Sequence, residues 1–513
     1  MKERLLQIIA AVSLTLICGC VSQPSPQAHS SGVERSRITI DGDFEDWQFA
    51  TGSPDIIERT GDPEFNLEGI HTSSDAENVY FLIDIDKELN FQGFDGTLKL
   101  LLNTDAEPET GDTHHGMEGV DLMIEFTAPN RRDPDRRGMG IGVELASDQS
   151  YQGPDTPVGH AAIGFKMAPT YATDRLEFSI KRHSAVQGIS PIGPEAEFTY
   201  KLVLLSGKGE TSFATAERAS RLSADSQATL PAPSIPQKEN GHLRVISWNV
   251  ERGSILKKPE IYSRVLRSLN PDAILLQELT ENETEQSLGE LFKEIFPAET
   301  SGWNILLGKD GAALGCGIAS RVPIRRVESI EQIPYPDRPE WTVRALGGEL
   351  MTENGNQLLL TSVHLKCCGR IDSREDRTRL QEATRINERI RQVVTGSSVD
   401  GLILGGDLNL VGSYTPIKNL SHNLDFDRSD LSILNPFALT GRSNSTWSSA
   451  RSQFAPGRLD YLLFSDSSVQ VTRSFILNTA DLSATALAQH ALKSTDSAEA
   501  SDHFPVVIDL AWK

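Results

Sequence analysis

The sequence predicts two unlike folds in one chain: an all-β sandwich, then an α/β domain in which two sheets lie between layers of helices. Three observations carry this expectation. At 513 residues the chain is too long for a single compact core. Over residues 37–205, short apolar runs alternate with Asp, Gly, Asn and Pro turns and no long helical period intervenes, the pattern of a β-sandwich. From Leu243 onward apolar strands alternate with helical spacing, the pattern of a layered α/β domain.

The chain opens with a targeting segment, residues 1–20. Lys2 and Arg4 precede an apolar run from Ile8 to Ile17, too short for a comfortable membrane span. The run ends Ile17-Cys18-Gly19-Cys20, which resembles the lipobox of bacterial lipoproteins. That resemblance implies lipidation of Cys20 and an exported protein of the cell envelope, anchored to the membrane through lipid. Val21, rather than Asp, follows the cysteine, and by resemblance to the sorting rule of diderm bacteria this favours the outer membrane. The other reading is an ordinary secretory signal with an incidental Cys20. Residues 21–36, rich in Ser, Pro, Gln and Gly, read as a tether.

Strand-like runs follow at 38–40, 79–85, 98–103, 120–126 and 176–181. The opening IDGDFEDW (40–47), with NTDAEPETGD (103–112) and GMEGVDLMIE (116–125), resembles sugar-binding-module-like domains of secreted bacterial proteins. The resemblance implies a glycan partner for residues 37–205. Asp105, Glu107, Asp112 and Asp121 are candidate Ca²⁺ ligands there, weighed evenly against a reading as solvated loop acids. Residues 206–242, rich in Ser, Ala, Gly and Pro, read as an interdomain linker.

The net charge of −22 is unevenly spread. Residues 241–513 hold 29 Lys and Arg against 34 Asp and Glu, a net of −5, which leaves −17 for residues 1–240. The N-terminal half is therefore a poor binder of polyanions by bulk electrostatics, whereas the C-terminal half permits a polyanionic substrate.

Six short blocks punctuate residues 243–513: SWN (247–249), LLQE (275–278), SVHL (362–365), GGDLN (405–409), RLDY (458–461) and SDHFP (501–505). Each places Asn, Glu, Asp or His at a strand end. Asn249 and Glu278 are hard oxygen donors of the kind Mg²⁺ or Mn²⁺ requires. Asp407 and Asn409 alternate onto one side of an extended Gly-Gly-Asp-Leu-Asn turn. Asp460 and His503 suit a carboxylate that fixes an imidazole's tautomer and raises its basicity. Elsewhere, 259–269 and 372–395 carry helical spacing, and Leu380, Ile386, Ile390 and Val393 recur at core intervals in the second.

These blocks, together with GCGIASRVPI (315–324), resemble the endonuclease/exonuclease/phosphatase superfamily of DNase-I-like nucleases, neutral sphingomyelinases and inositol polyphosphate 5-phosphatases. The resemblance covers residues 243–513. It implies a four-layer α/β sandwich with the site at one edge of the two sheets, and a Mg²⁺- or Mn²⁺-dependent hydrolase of phosphate esters. Glu278 would be the main metal ligand, Asn249 would bind the metal or a phosphate oxygen, and Asp502 would help hold the metal region. Asp407 and Asn409 would orient the attacking water and hold the phosphoryl group. His503, paired with Asp460, would assist the water or stabilise the charged phosphorane. His364 would protonate the leaving oxygen or bind the phosphate, and its presence tilts the reading away from abasic-site endonucleases, which use Tyr in a related region. Arg321 and Lys366, with Arg370 and Arg374, are candidate phosphate contacts.

The substrate expected first is a phosphodiester, most simply extracellular nucleic acid. A phospholipid, sphingomyelin or inositol-phosphate headgroup is the alternative, which membrane anchoring would suit. A glycan-binding envelope protein with an inactive catalytic scaffold is the rival from another class, and the presence of every site residue speaks against it. Cys316, Cys367 and Cys368 fall in an oxidising compartment; Cys316 could bridge one of the pair, or the pair could bridge itself.

Overall fold

The computed structural model describes residues 38–47, 55–128, 138–146, 159–182, 192, 197–222, 232–299, 302–308, 314–335, 338–352, 354–396 and 398–513. The expected targeting segment, Cys20 and the expected tether lie outside them. Residues Arg37–Lys513 form one compact unit.

The N-terminal part is built from two antiparallel sheets. One runs in the order Ile56–Arg59, Thr211–Thr215, Glu197–Leu205, Thr97–Asn103, Leu122–Phe126, Ile141–Leu145, with Arg218–Arg221 also paired to Glu197–Leu205. The other runs Leu67–Ser74, Asn78–Leu89, Thr173–Lys181, Lys166–Ala168. Period-2 alternation turns one face of each inward, and Phe81, Phe126, Phe165 and Phe178 interlock there through stacked and edge-on contacts. The opening IDGDFEDW is pinned by the buried Glu177 carboxylate, which accepts from the backbone N–H groups of Asp41 and Gly42 and from Trp47 Nε1. Burial lifts that carboxyl to about 8, against the pull of these donors.

Two sequence expectations are corrected here. The linker read over 206–242 contains two strands of the sandwich, Thr211–Thr215 and Arg218–Arg221, because Phe213 and Ala214 bury their side chains and their backbone completes the sheet. The four candidate calcium ligands also fail to converge: among the described residues, no group of three metal-binding side chains includes Asp105, Glu107, Asp112 or Asp121. Asp121 instead accepts from the Thr104 amide and hydroxyl, and Asp105 closes an Asx turn on the Glu107 amide.

The C-terminal part is a four-layer α/β/β/α sandwich. Its first sheet runs Asn304–Leu307, Gly315–Ser320, Ala273–Leu279, Leu243–Asn249, Val506–Trp512, Val469–Ile476. The second runs Ile324–Val327, Ala345–Met351, Gln357–His364, Gly401–Asp407, Asp460–Phe464, Ser432–Ile433. Val245, Leu275, Ile318, Leu360, Ile403 and Ile508 fill the space between them. Strands buried on both faces read as continuous apolar runs, which is why LILGG and AILL lack alternation. The helix Pro259–Leu269 begins on a proline, ends at Asn270 in the left-handed conformation, and lays Tyr262, Val265, Leu266 and Leu269 on the first sheet. Each such buried side chain contributes roughly 1.5–3 kcal/mol.

The helix Arg374–Gly396 covers the second sheet with Ala383, Ile386 and Ile390. Its buried face also includes Asp376, Arg379 and Glu382, whereas Leu380 and Val393 are only half-buried. These polar groups hold the segment that follows His364. Arg379 donates to the carbonyls of Lys366 and Cys368, and Glu382 accepts from the Lys366 amide.

Candidate active site

Strand register assembles the site. In the second sheet His364 lies opposite Asp407 in a parallel pairing, and Asp407 lies opposite Asp460 in an antiparallel one. Three blocks that are far apart in sequence therefore deliver adjacent side chains at one sheet end. Gly406 permits this approach: its φ is +150°, and a Cβ there would sit 1.8 Å from the Val363 carbonyl oxygen. In the first sheet Asn249 pairs with Gln277, and Glu278 follows at a break in register between Leu276 and Leu279. Glu278 has φ +61°, rare for a side-chain-bearing residue, and the bulge aims its carboxylate at the neighbouring sheet.

Asp407 is the hub. Its Oδ1 accepts from the Asn409 amide, and its Oδ2 accepts from Asn249 Nδ2 at 3.0 Å. The same Oδ2 lies 3.6 Å from His364 Nε2 and 3.7 Å from His503 Nε2, so the two imidazoles flank one carboxylate. Glu278 Oε1 lies 3.9 Å from His364 Nε2, and Glu278 Oε2 accepts from the Arg252 amide. Glu278 keeps 18% of its side chain exposed while Asp407 keeps 2%, which makes Glu278 the mouth and Asp407 the floor.

The two histidines are set in opposite charge states. His503 places Nδ1 2.8 Å from Asp460 Oδ2. Burial pushes its pKa down, but the Asp460 and Asp407 carboxylates outweigh that and raise it to about 10. His364 is held well below the ordinary imidazole value, first by burial and then by the Arg344 guanidinium. Arg344 Nη1 lies 3.0 Å from His364 Nδ1. A guanidinium only donates, so Nδ1 must be the bare acceptor and the ring proton sits on Nε2, facing Asp407 and Glu278. Burial lifts Asp407 to about 7, with Asp460 and Glu278 adding to the rise and His503 opposing it.

Further contacts fix these groups. Thr446 Oγ1 accepts from the Leu459 and Asp460 amides. Trp248 Nε1 donates to the His503 carbonyl, and Ser501 Oγ donates to the Asn249 carbonyl while accepting from the His503 amide. Sequence reasoning missed Arg344, Thr446 and Ser501. Arg344 lies outside every block, and only the pairing of Ala345 with Val363 would have placed it beside His364.

Five predicted residues, Glu278, His364, Asp407, Asp460 and His503, converge in two overlapping groups of three whose candidate ligand atoms lie within 4.8 Å of one another. Asn249 bridges Glu278 and Asp407 through its amide nitrogen, and its oxygen is taken by the Glu251 N–H. Its amide nitrogen thus orients both carboxylates beside the position where it was expected to bind the metal or a phosphate oxygen. Asn409, at φ +48°, ties the turn to the neighbouring strand by donating to the Leu365 carbonyl. Asp502 stands outside both groups and accepts from Trp447 Nε1. The Lys366 ammonium lies 3.5 Å from Cys367 Sγ, near the site without touching these residues.

Arg321, expected as a phosphate contact, is placed away from this cluster. Ser320 pairs with Ala273, at the opposite end of the strand that carries Glu278, and Arg321 stacks on Phe296 and Trp303 and bonds Asn270. Arg370 pairs with Asp95 of the sandwich. Among the described residues Cys316, Cys367 and Cys368 form no disulfide, and Cys316 lies in the core between the sheets, where its thiol donates to the Arg344 carbonyl.

The donor set fits a hard divalent cation. Glu278 and Asp407 supply carboxylate oxygens at a partly open mouth, and Asp460 Oδ1 is buried without a hydrogen-bond partner among the described residues. Glu278 with Asp407 would hold the ion.

The model of the Endonuclease/Exonuclease/phosphatase family matches residues 246–503. No curated protein matches the chain. Solved structures similar to it include a Neisseria 3′ phosphatase, NExo, bound to a product DNA hairpin, at 17% identity over 53% of this chain and 100% of that one, with a TM-score of 0.35. ANGEL2, a 2′,3′-cyclic phosphatase, is 14% identical over 56% of this chain and 99% of its own, with a TM-score of 0.38. An AP endonuclease from Archaeoglobus fulgidus is 14% identical over 53% and 99%, with a TM-score of 0.34. With its match spanning every site residue from Asn249 to His503, the chain belongs to the endonuclease/exonuclease/phosphatase family of phosphate-ester hydrolases.

Proposed function

We propose that this protein is a lipid-anchored phosphodiesterase of the bacterial envelope, dependent on Mg²⁺ or Mn²⁺, whose substrate is extracellular nucleic acid. The observation that carries the chemistry is the pair of imidazoles with opposed hydrogen-bond partners, a guanidinium on one and a carboxylate on the other, flanking the Asp407 carboxylate. Glu278 and Asp407 would hold a divalent cation, which would supply charge neutralisation at the scissile phosphate.

The chain's own residues do the rest. Asp407, anchored by Asn249 and the Asn409 amide, takes the proton of the attacking water. His503, held charged by Asp460, stands beside it and offsets the negative charge that grows on the phosphorane. His364 presents its Nε2–H as a hydrogen-bond donor to a phosphoryl oxygen. Of the two roles expected for His364, phosphate binding is the one Arg344 supports, because a neutral imidazole is a poor proton donor. As the water oxygen bonds to phosphorus and the P–O bond to the leaving group breaks, the departing oxygen takes a proton from solvent at the partly exposed Glu278 mouth, and Asn409 keeps the floor of the site in register with the His364 strand.

A substrate panel tests this: supercoiled plasmid, sphingomyelin vesicles and an inositol bisphosphate, each with Mg²⁺ and with EDTA. Mg²⁺-dependent nicking is the expected result. Release of headgroup phosphate without nicking would move the assignment to phospholipids or inositol phosphates. Anchoring is tested separately by palmitate labelling, expected in the wild type and lost in Cys20→Ser.

A further inference from the structure

The N-terminal sandwich touches the catalytic loops through its backbone and through side chains that include Thr170, Tyr171 and Asn90. Thr170 Oγ1 lies 2.9 Å from the Leu410 carbonyl and 3.0 Å from the Arg458 carbonyl. Leu410 directly follows Asn409, and Arg458 lies two residues before Asp460. The Ala172 amide donates to the Gly412 carbonyl, and Tyr171 packs on Tyr414 with ring centroids 4.7 Å apart. Asn90 Nδ2 donates to the Val411 carbonyl at 2.9 Å, and its Oδ1 accepts from the Ile371 amide in the segment that follows His364. One hydroxyl and one carboxamide therefore reach the three segments that carry or follow Asn409, Asp460 and His364.

The catalytic part braces these loops too: Asn409 donates to the Leu365 carbonyl, and Thr446 accepts from the Leu459 and Asp460 amides. Within the catalytic part, 408–412 is tied to 458–460 by the Leu408 amide on the Leu459 carbonyl. Thr170 bridges the same two segments from outside, one residue beyond Asn409. Asn90 is 7% exposed, so its carboxamide is committed to these partners and unavailable as a surface recognition group.

We propose that the sandwich is a working part of the active site, with Thr170 and Asn90 acting as positioning residues that set loop 408–412 against the Asp460 strand. The proposal rests on the phosphoesterase reading for its kinetic readout and stands independently of it for its structural one. Its physical basis is that displacement of a reacting group by about 1 Å costs on the order of 10²-fold in rate. A hydroxyl shared by two backbone carbonyls resists such displacement.

The test uses the compact unit, residues 37–513, with Thr170→Val, which keeps shape and removes the hydroxyl, Thr170→Ser, which restores it, and Asn90→Asp, which keeps the acceptor for Ile371 and removes the donor to Val411. Turnover of bis(p-nitrophenyl) phosphate with Mg²⁺ and hydrogen exchange of the backbone amides at 408–412 and 458–460 are both measured. The expected result is a fall in kcat of about tenfold or more for Thr170→Val and Asn90→Asp with KM within about twofold, faster exchange confined to those loops, and recovery in Thr170→Ser. Wild-type kcat and exchange in both variants would overturn the proposal, as would a loss of kcat with exchange unchanged in those loops. Should the wild type leave the diester intact, the function reading fails and the exchange measurement still decides the structural one.

Discussion

Replacing Arg344 by Met tests the electrostatic logic of the site most sharply. Met keeps the length and apolar stem but removes two donors, one to His364 Nδ1 and one to the Leu365 carbonyl, both at 3.0 Å. A hydrogen bond from a charged donor contributes about 1.5–3 kcal/mol. If the Nδ1 contact acts fully on the transition state, kcat should fall roughly 10- to 150-fold, at about 1.4 kcal/mol per decade. Losing Arg344 also removes the second cause of the low His364 pKa, while burial, the larger cause, remains. The His364 pKa should therefore move upward but stop short of the ordinary value. Activity that needs neutral His364 should then decline on the acid side at a higher pH than in the wild type. The assay is steady-state hydrolysis of bis(p-nitrophenyl) phosphate at saturating Mg²⁺ from pH 5 to 9, with circular dichroism as a fold control. Unchanged kcat in a folded variant, or an acid limb that stays in place, would refute the tautomer argument.

Other consequences follow from single contacts. Arg321→Ala should leave turnover at wild-type level and cost about 0.5–1 kcal/mol of stability, the worth of its stacking on Phe296 and Trp303, read by denaturant unfolding; a large loss of kcat would return Arg321 to the site. Cys367 accepts the Cys368 thiol hydrogen, and although burial opposes it, this bond and nearby Lys366 lower its pKa to about 5; iodoacetamide at neutral pH should label Cys367 first, and prior labelling of exposed Cys368 would contradict that. In EDTA, His503 with a raised pKa contributes stability that is fully present below about pH 6.5 and disappears as pH climbs through about 10. The wild-type melting temperature should thus decline between neutral pH and pH 10, and His503→Gln should melt lower at neutral pH and lose most of that slope.

Much of the second fold was legible because its strands are short apolar runs ending in chemistry-bearing residues. The helix Pro259–Leu269 and the strands carrying Asn249, Glu278, Asp407 and Asp460 stand where the periodicity places them. The gathering of Glu278, His364, Asp407, Asp460 and His503 was anticipated by resemblance, since no spacing rule joins positions whose proximity depends on sheet register. The parts that escaped have specific reasons. Arg344 acts through a neighbouring strand and carries no local signal. Arg321 sits in a family-like segment, but the segment runs antiparallel to the Glu278 strand, so its Arg emerges at the far end. The bulge at Glu278 and the oxygen of Asn249 depend on backbone geometry that side-chain identity does not encode. Thr211–Thr215 and Arg218–Arg221 were hidden by Ser- and Ala-rich composition, which strand pairing overrides.

Phosphodiester hydrolysis is proposed to occur at the cluster of Glu278, His364, Asp407, Asp460 and His503 with a divalent cation. Supercoiled-plasmid nicking by residues 37–513 addresses it directly, using wild type, Glu278→Gln and His503→Ala, each with Mg²⁺ and with EDTA. The wild type should nick with Mg²⁺ alone, and both variants should lose nicking. Nicking that persists in EDTA, or that both folded variants retain, would contradict it.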